Sequence, residues 1–246
     1  MLRNDASLTD RRLSGNLRAQ PLLRTGKKIS RLLYQVPFVR AIGISGSLSK
    51  NFAGEDADID YFIITSSNRL WVARTMMHFI KKLSYLLGRQ HWYCMNYYLD
   101  EEAMEIAEKN IFTAIELITL LPVQGMNTMS EFYRRNEWTR EFYPNFEAKH
   151  SPAVFSDRSS LLKRALEYLL KGRMGERLDN YFMTVTTRRW KIKEALQKRS
   201  ARGTRMSLFG GKHFSKPNPA LFQKEILDLY NEKIGRLKPV QTGYFA

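Results

Sequence analysis

The sequence predicts an α+β protein, in which a small mixed β-sheet is followed by a mostly helical carboxyl-terminal region. Short runs of branched and aromatic residues, which are typical of strands, are concentrated between residues 38 and 100. From residue 101 onward, apolar residues recur at helical spacing over 101–121, 128–140, 158–172, 176–199 and 220–236. We therefore predict a basic amino-terminal helical segment (1–37), an α/β domain (38–125) and a basic helical region (126–246).

Each predicted element has its own signal. Leu32 and Leu33, placed shortly before Pro37, indicate a short amphipathic helix, and the segment FVRAIGIS that follows predicts a first strand. DIDYFIIT predicts a second strand, an apolar stripe over 73–87 predicts a long helix, and HWYCMNYYL predicts a third strand. Residues 200–219 are rich in Gly, Ser, Pro and Lys, so we predict a mobile connection there.

Charge is distributed unevenly along this chain of 246 residues, whose formal net charge is +16. Lys and Arg outnumber Asp and Glu by nine to two in residues 1–40 and by twenty to eight in 156–246, whereas 41–155 contain eleven against fourteen. Basic segments attract anionic partners, so RNA or an anionic membrane surface is a possible partner of the two flanking parts. Basic helices that are simply solvated are the alternative.

Several features predict a cytoplasmic protein without an integral membrane segment. Cys94 is the single cysteine, so no disulfide can form within the chain, as is usual in a reducing compartment. Charged residues interrupt the amino terminus before any apolar run could act as a secretion signal. The longest apolar stretch, AIELITLLPV, is far shorter than the roughly 20 residues that span a bilayer.

Two carboxylates lie at the start of the second predicted strand. Side chains alternate along a strand, so Asp58 and Asp60 should project from one side with Phe62, while Ile59 and Tyr61 face the other. Two carboxylates held close together repel each other unless a cation lies between them. Mg²⁺, or Mn²⁺ in its place, is the expected cation because Mg²⁺ takes oxygen ligands and leaves positions for water or substrate phosphates.

A Gly-Ser pair follows the first predicted strand and suits a phosphate group. Gly46 allows the backbone to approach a ligand closely, and Ser47 offers a hydroxyl and an N–H to phosphate oxygens. Lys50 lies about one turn further along the chain and can add a positive charge. These three residues and the two aspartates should face one cleft.

At these residues the sequence resembles the nucleotidyltransferase superfamily, which includes DNA polymerase β and the aminoglycoside nucleotidyltransferases. The family pattern is an apolar residue, Gly, and Gly or Ser, then about ten residues, then Asp, an apolar residue, and Asp or Glu. Here it reads Ser45-Gly46-Ser47, ten residues, and Asp58-Ile59-Asp60-Tyr61. The resemblance implies a mixed sheet, a triphosphate held by Gly46 and Ser47, and magnesium held by Asp58 and Asp60.

The chain departs from the family pattern at one position. The third strand of such enzymes usually supplies another carboxylate, but CMNYYLD has Asn96 at the corresponding place. Asparagine can coordinate a metal through its carbonyl oxygen but cannot accept a proton at neutral pH. Asp100 lies four residues after Asn96, so it would face the same side of a regular strand, and it would replace Asn96 if the strand were shifted.

The resemblance implies that a nucleoside monophosphate is transferred from an NTP, ATP among them, to an acceptor hydroxyl, with release of pyrophosphate. The acceptor is not specified by the sequence: a small molecule, a sugar or lipid-linked acceptor, and RNA all stay open. Two other hypotheses are a noncatalytic nucleotide- or RNA-binding module, favoured by Asn96, and a peripheral membrane or interaction protein that uses the helical part.

Overall fold

The structure, a computed structural model, describes residues 6–86, 88, 92–146, 159–196, 208–217 and 220–236. Its helices are α1 (Ala6–Tyr34), α2 (Gly46–Ser49), α3 (Leu70–Tyr85), α4 (Ile111–Ile118), α5 (Met126–Arg135), α6 (Thr139–Phe142), α7 (Leu161–Leu169), α8 (Arg173–Ala195) and α9 (Ala220–Gly235). Its strands are β1 (Val39–Ile44), β2 (Asp60–Thr65), β3 (Cys94–Asp100), β4 (Leu121–Gln124), β5 (Leu208–Gly210) and β6 (Phe214–Pro217). The predicted α+β class is confirmed.

The strands form one mixed sheet in the order β4-β1-β2-β3-β6-β5. Strand β2 is antiparallel to β1 and parallel to β3, and the remaining pairs are antiparallel. Helix α3 makes the crossover between the two parallel strands, as a parallel pair requires. None of the helices in the described ranges is long and apolar enough to cross a bilayer.

The two faces of the sheet pack into two separate hydrophobic clusters. In β2, Tyr61 and Ile63 belong to the cluster under α1, α3 and α8, whereas Phe62 and Ile64 belong to the cluster under α4 and α5. Ile59 lies in the first cluster as well. The predicted alternation of faces along this strand is therefore confirmed, and it places the side of Asp60 with Phe62.

Strand β3 contains a bulge at Asn96. Cys94 and Met95 pair with Asp60 and Tyr61, but the next pair joins Phe62 to Tyr97, so Asn96 is an extra residue opposite β2. An extra residue reverses the alternation of side chains beyond it. Residues after the bulge therefore face the opposite side from the one that simple parity predicts.

Several predicted boundaries were wrong. Residues 101–110 form turns rather than helix, and the apolar segment at 121–124 forms β4. The predicted connection at 200–219 contains the β5–β6 hairpin over 208–217, which extends the sheet beside β3. The carboxyl-terminal region, which was predicted to be mostly helical, thus supplies two strands. Strand β6 pairs with backbone groups along the edge of β3 that would otherwise be open.

The amino-terminal helix is much longer than its apolar signal predicted. Helix α1 has 29 residues and continues through Pro21, although only its last third carries the expected apolar spacing. Ala19, Ile29 and Leu33 are buried against the sheet in the first cluster. This segment is therefore part of the main core, where most of the stability of a helix comes from packing.

Helix α7 is tied to the beginning of β1 by charged groups. Glu167 accepts hydrogen bonds from the Phe38 N–H at 2.6 Å and from the Arg40 guanidinium at 2.8 Å. The buried Lys163 ammonium donates to the carbonyls of Tyr34 and Val39 at 2.7 and 2.8 Å. These bonds satisfy backbone groups around the α1–β1 connection and fix the direction in which β1 enters the sheet.

We predict that Gly125→Ala destabilises the protein by about 3 kcal/mol, the upper end of the usual range for overpacking and backbone strain. Gly125 has a φ of +71°, and a Cβ there would lie 1.9 Å from the Arg40 carbonyl oxygen. Gly54→Ala is the control, because a Cβ at Gly54 would meet nothing within 4 Å. Urea unfolding would measure both variants, and equal stabilities would contradict the prediction.

Candidate functional site

Most of the predicted site residues line one cavity. Ser45, Gly46, Ser47, Lys50 and Asp60 form part of the wall of a cavity of about 610 Å³ on the α4–α5 side of the sheet. Strand β1 ends just before Ser45, α2 begins at Gly46, and β2 begins at Asp60. The antiparallel pairing of β1 with β2 is what brings the Gly-Ser pair and Asp60 to the same edge.

Gly46 and the Asp60 side chain are in close contact. Gly46 has a φ of +70°, and a Cβ built on it would lie 2.9 Å from Asp60 Oδ2. The Ser45 N–H donates to the Asp60 carbonyl oxygen at 2.9 Å, which holds the two backbones together. Both the conformation and the lack of space favour glycine at this position.

Strand β2 begins at Asp60, two residues later than predicted, so Asp58 precedes the strand. Asp58 does not line the cavity, although it was predicted to face the same cleft as Asp60. Both aspartates nevertheless act on one group, the Cys94 thiol. Burial, the negative charge of Asp60 and a hydrogen bond with Asp60 raise the pKa of Cys94 to about 12, and the charge of Asp58 adds to the rise. The two carboxylates are therefore close enough to the start of β3 to share one electrostatic environment.

Lys50 is held by two groups inside the cavity. Its ammonium donates to the Gly46 carbonyl oxygen at 3.0 Å and to Glu116 Oε1 at 2.9 Å. Glu116 lies on α4 and also lines the cavity. From the sequence, Glu116 shares one side of a helix with Thr113 that could line the cleft, but a surface or capping role was the favoured interpretation; the structure places both residues in the cavity wall.

Beyond Asp60 the cavity wall is aromatic. The Phe62 ring stacks on Tyr97, with 5.3 Å between ring centroids, and lies 5.0 Å from the Phe132 ring. Two further polar pairs line the wall: Lys216 of β6 pairs with Glu108, and the Gln223 amide donates to the Thr113 hydroxyl at 3.3 Å. The cavity wall thus combines aromatic rings with polar and charged side chains.

The two candidates for a third carboxylate have different positions in the fold. Asn96 is the bulged residue of β3, near the strand's beginning, between Met95, which pairs with Tyr61, and Tyr97, which pairs with Phe62. Asp100 pairs with Thr65 at the other end of the strand, and the bulge turns it to the side of Tyr61 and Ile63. The parity argument for Asp100 was therefore wrong, and the structure does not bring it to Asp60.

Asp100 has a separate structural role. It is fully buried and accepts hydrogen bonds from the N–H groups of Asn68 and Glu102 at 2.9 and 3.0 Å. Its Oδ2 also lies 2.8 Å from His213 Nδ1, at the turn of the β5–β6 hairpin. The carboxylate thus joins three loops at the edge of the sheet opposite Asp60.

Among the described residues, no cluster of three or more His, Cys, Asp or Glu side chains is arranged to hold a metal ion. Asp58 and Asp60 offer oxygen donors, which suit Mg²⁺ or Mn²⁺. A Mg²⁺ ion is commonly held by one or two carboxylates, with water and substrate phosphates in its other positions. This donor set therefore fits one hard cation that is completed by a phosphorylated ligand.

Comparison with known proteins gives no independent assignment. No protein-family model matches the chain, and neither the curated proteins nor the solved structures gave a match. The function of the chain is therefore inferred from the geometry of the cavity and from the sequence pattern around it.

We predict that Asp60→Asn makes Cys94 more reactive. Removing the Asp60 charge should lower the pKa of the thiol, so the thiolate fraction and the rate of alkylation near pH 8 should rise several-fold. Iodoacetamide labelling in the presence of EDTA, followed by mass spectrometry, would measure the rate. Glu55→Gln, which neutralises an exposed acid of the same loop, is the control, and equal rates in all three proteins would contradict the prediction.

Proposed function

We propose that the protein is a metal-dependent nucleotidyltransferase, which moves a nucleoside monophosphate from an NTP to an acceptor hydroxyl and releases pyrophosphate. The observation that carries this proposal is the contact between Gly46 and Asp60 in the wall of the cavity. A backbone turn without a side chain next to a carboxylate suits a phosphate and a cation bound side by side. The resemblance to the nucleotidyltransferase pattern at the same residues supports this interpretation.

Ser47 and Lys50 are the proposed triphosphate ligands. Both line the cavity next to Gly46, and the Lys50 ammonium already lies 3.0 Å from the Gly46 carbonyl oxygen. A hydroxyl, backbone N–H groups and an ammonium are the groups that usually bind phosphate oxygens. We place the β- and γ-phosphates here, with the α-phosphate towards Asp60.

Asp58 and Asp60 are the proposed ligands of Mg²⁺, with Mn²⁺ as a substitute. Bound there, the ion would neutralise charge on the phosphates and align the attacking hydroxyl. The donor set is sufficient only with phosphate oxygens from the nucleotide, since Asp100 lies at the other end of β3. We therefore expect metal and NTP to bind cooperatively.

The proposed reaction is an in-line displacement. The acceptor oxygen forms a bond to the α-phosphorus, the bond from that phosphorus to the bridging oxygen of the β-phosphate breaks, and the hydroxyl proton is released to water. Catalysis of this kind depends mainly on positioning and charge stabilisation rather than on covalent intermediates. Asn96 cannot accept the proton, so this chain lacks the usual base at that position.

A noncatalytic nucleotide-binding module is the second candidate. It is favoured by one observation, namely that the described part of the chain has no third acid grouped with Asp58 and Asp60. Such a module would keep the phosphate and metal ligands and bind NTP without turnover. Binding and transfer therefore have to be measured separately.

We predict that Asp60→Asn abolishes nucleotidyl transfer, with a loss of at least about a hundredfold, in line with the removal of a transition-state charge partner. The protein would be incubated with Mg²⁺, each α-labelled NTP and a cell extract that supplies acceptors, and labelled product and pyrophosphate would be measured. Asp56→Asn changes a neighbouring exposed acid that we place outside the site, and it should keep full activity.

The outcome of this experiment separates the two candidates. Metal-dependent binding of a nonhydrolysable NTP without any transfer would support the noncatalytic module. Neither binding nor transfer in the unmodified protein would overturn both. Transfer that is equally fast in Asp60→Asn would show that the carboxylate beside Gly46 has no part in the reaction.

We predict that Glu116→Gln lowers KM for NTP several-fold and leaves kcat within about twofold, as expected for removal of a group that opposes ground-state binding. Glu116 holds the Lys50 ammonium at 2.9 Å, so phosphate has to compete with it. Lys50→Gln should raise KM instead. Steady-state kinetics would measure both variants, and a large fall in kcat for Glu116→Gln would instead indicate that this carboxylate takes the acceptor proton.

A further inference from the structure

The carboxyl-terminal ends of α3 and α8 expose large apolar side chains. Leu86, at the end of α3, is 83% exposed, and Leu196, at the end of α8, is 62% exposed. Spacing along α3 places several of them on one face, opposite the buried Met77. We call these two helix ends the α3–α8 surface; its exposed apolar members are Phe79, Leu83, Tyr85, Leu86, Ile192 and Leu196.

The two helix ends are neighbours because α3 and α8 pack together and run in the same direction. Towards their beginnings, Asp179 accepts a hydrogen bond from the Val72 N–H at 2.8 Å. Further along, the Arg74 guanidinium lies 4.7 Å from the centre of the Trp190 ring. The exposed residues beyond these contacts on each helix therefore emerge at the same end of the pair.

The same surface is strongly basic. Residues 79–86 and 188–196 contain six Lys and Arg side chains, and their one acid is Glu194. The cations of the two helices converge around His78, whose pKa is lowered to about 3 by burial and by the charges of Arg74, Lys81, Lys82 and Lys193. An anionic partner would relieve this concentration of like charge.

We propose that the α3–α8 surface binds an anionic lipid bilayer, with its apolar side chains inserted between headgroups and its lysines and arginines against them. Basic residues interspersed with exposed apolar residues are the usual composition of helices that lie in a membrane interface. Each Lys or Arg near such a surface strengthens binding to anionic lipid about fivefold.

RNA fits this surface less well. RNA recognition uses aromatic or guanidinium planes that stack on bases, and four of the six exposed apolar residues are aliphatic. Trp190, the aromatic residue within the basic segment, is 7% exposed and packs against Trp71, so its ring cannot reach a base. Aliphatic side chains gain free energy by leaving water, which a bilayer provides and a phosphate backbone does not.

The surface adjoins the edge of the sheet that carries Asp60. Helix α3 leads from the end of β2 back to the beginning of β3, where Cys94 pairs with Asp60. The positive charge of Lys81 on α3 acts on the Cys94 thiol, so this helix end lies near that edge. Membrane binding would thus bring the proposed cleft to the bilayer, where a lipid-linked acceptor presents its hydroxyl; this step rests on the proposed function, whereas lipid binding does not.

Co-sedimentation with vesicles tests the proposal. The unmodified protein should bind vesicles of phosphatidylcholine mixed with phosphatidylglycerol, and should bind phosphatidylcholine alone much more weakly. Leu86→Ser should weaken binding about tenfold, the effect of losing one inserted leucine, and Lys193→Gln about fivefold, the effect of losing one cation. Two matched controls should bind normally: Leu161→Ser, which changes a leucine of α7 that is 82% exposed, and Lys171→Gln, near the other end of α8.

Three results would overturn the proposal. The first is binding to anionic vesicles that Leu86→Ser and Lys193→Gln do not weaken relative to the controls. The second is no vesicle binding, together with a dimer in analytical ultracentrifugation that Leu86→Ser dissociates, because a second copy would then cover the surface. The third is no vesicle binding, together with tight binding of single-stranded RNA that Lys193→Gln weakens. None of these results depends on nucleotidyl transfer, so the proposed function can fail while lipid binding stands.

Discussion

The arrangement of the cavity depends on the close approach of the Gly46 backbone to the Asp60 carboxylate. The antiparallel pairing of β1 with β2 brings these two residues together, and the Ser45 N–H bond to the Asp60 carbonyl closes the junction. A Cβ at Gly46 would lie 2.9 Å from Asp60 Oδ2, so any other residue type at this position would push the carboxylate out of its present place. Ser47 and Lys50 face the cavity because α2 begins directly at this turn.

Sequence reasoning succeeded where a residue's role follows from its neighbours in the chain. The alternation of Asp60 with Tyr61 and Phe62 predicted which side of β2 faces the cavity, and Gly46, Ser47 and Lys50 were predicted to face the same cleft. A strand signal is local and the β1–α2–β2 segment is continuous, so its arrangement could be predicted without knowing its contacts with distant parts of the chain.

The contacts of the remaining cavity residues could not be predicted, because these residues come from distant segments. Glu116, Tyr97 and Lys216 lie on α4, β3 and β6, and only the sheet order brings them to one cavity. The β5–β6 hairpin is short and rich in turn residues, so its sequence favours strands only weakly. Pairing of β6 with β3 is what stabilises the strands there. The bulge at Asn96 has no local signal, and it alone invalidated the parity argument for Asp100.

The net charge of the chain is a poor guide to the charge in the cavity. Lys50 and Lys216 both line the cavity, and each forms an ion pair with a glutamate that also lines it. Asp60 adds a further negative charge in the same wall. The positive charge is instead concentrated elsewhere, for example on the ends of α3 and α8. An anionic ligand bound at these lysines would therefore have to compete with the two glutamates locally, whatever the long-range field contributes to its approach.

The bulge at Asn96 divides β3 into two parts with opposite side-chain phase. The first part carries Cys94 beside Asp60, and the second carries Asp100 beside the hairpin turn at His213. Deleting Asn96 would remove only the extra residue, so Met95 and Tyr97 would become consecutive and Tyr97, Tyr98 and Leu99 would keep the faces that they occupy now. Loss of the Asn96 codon should thus be tolerated far better than loss of the codon for Tyr98, because a deletion at Tyr98 would exchange the faces of the residues on one side of it.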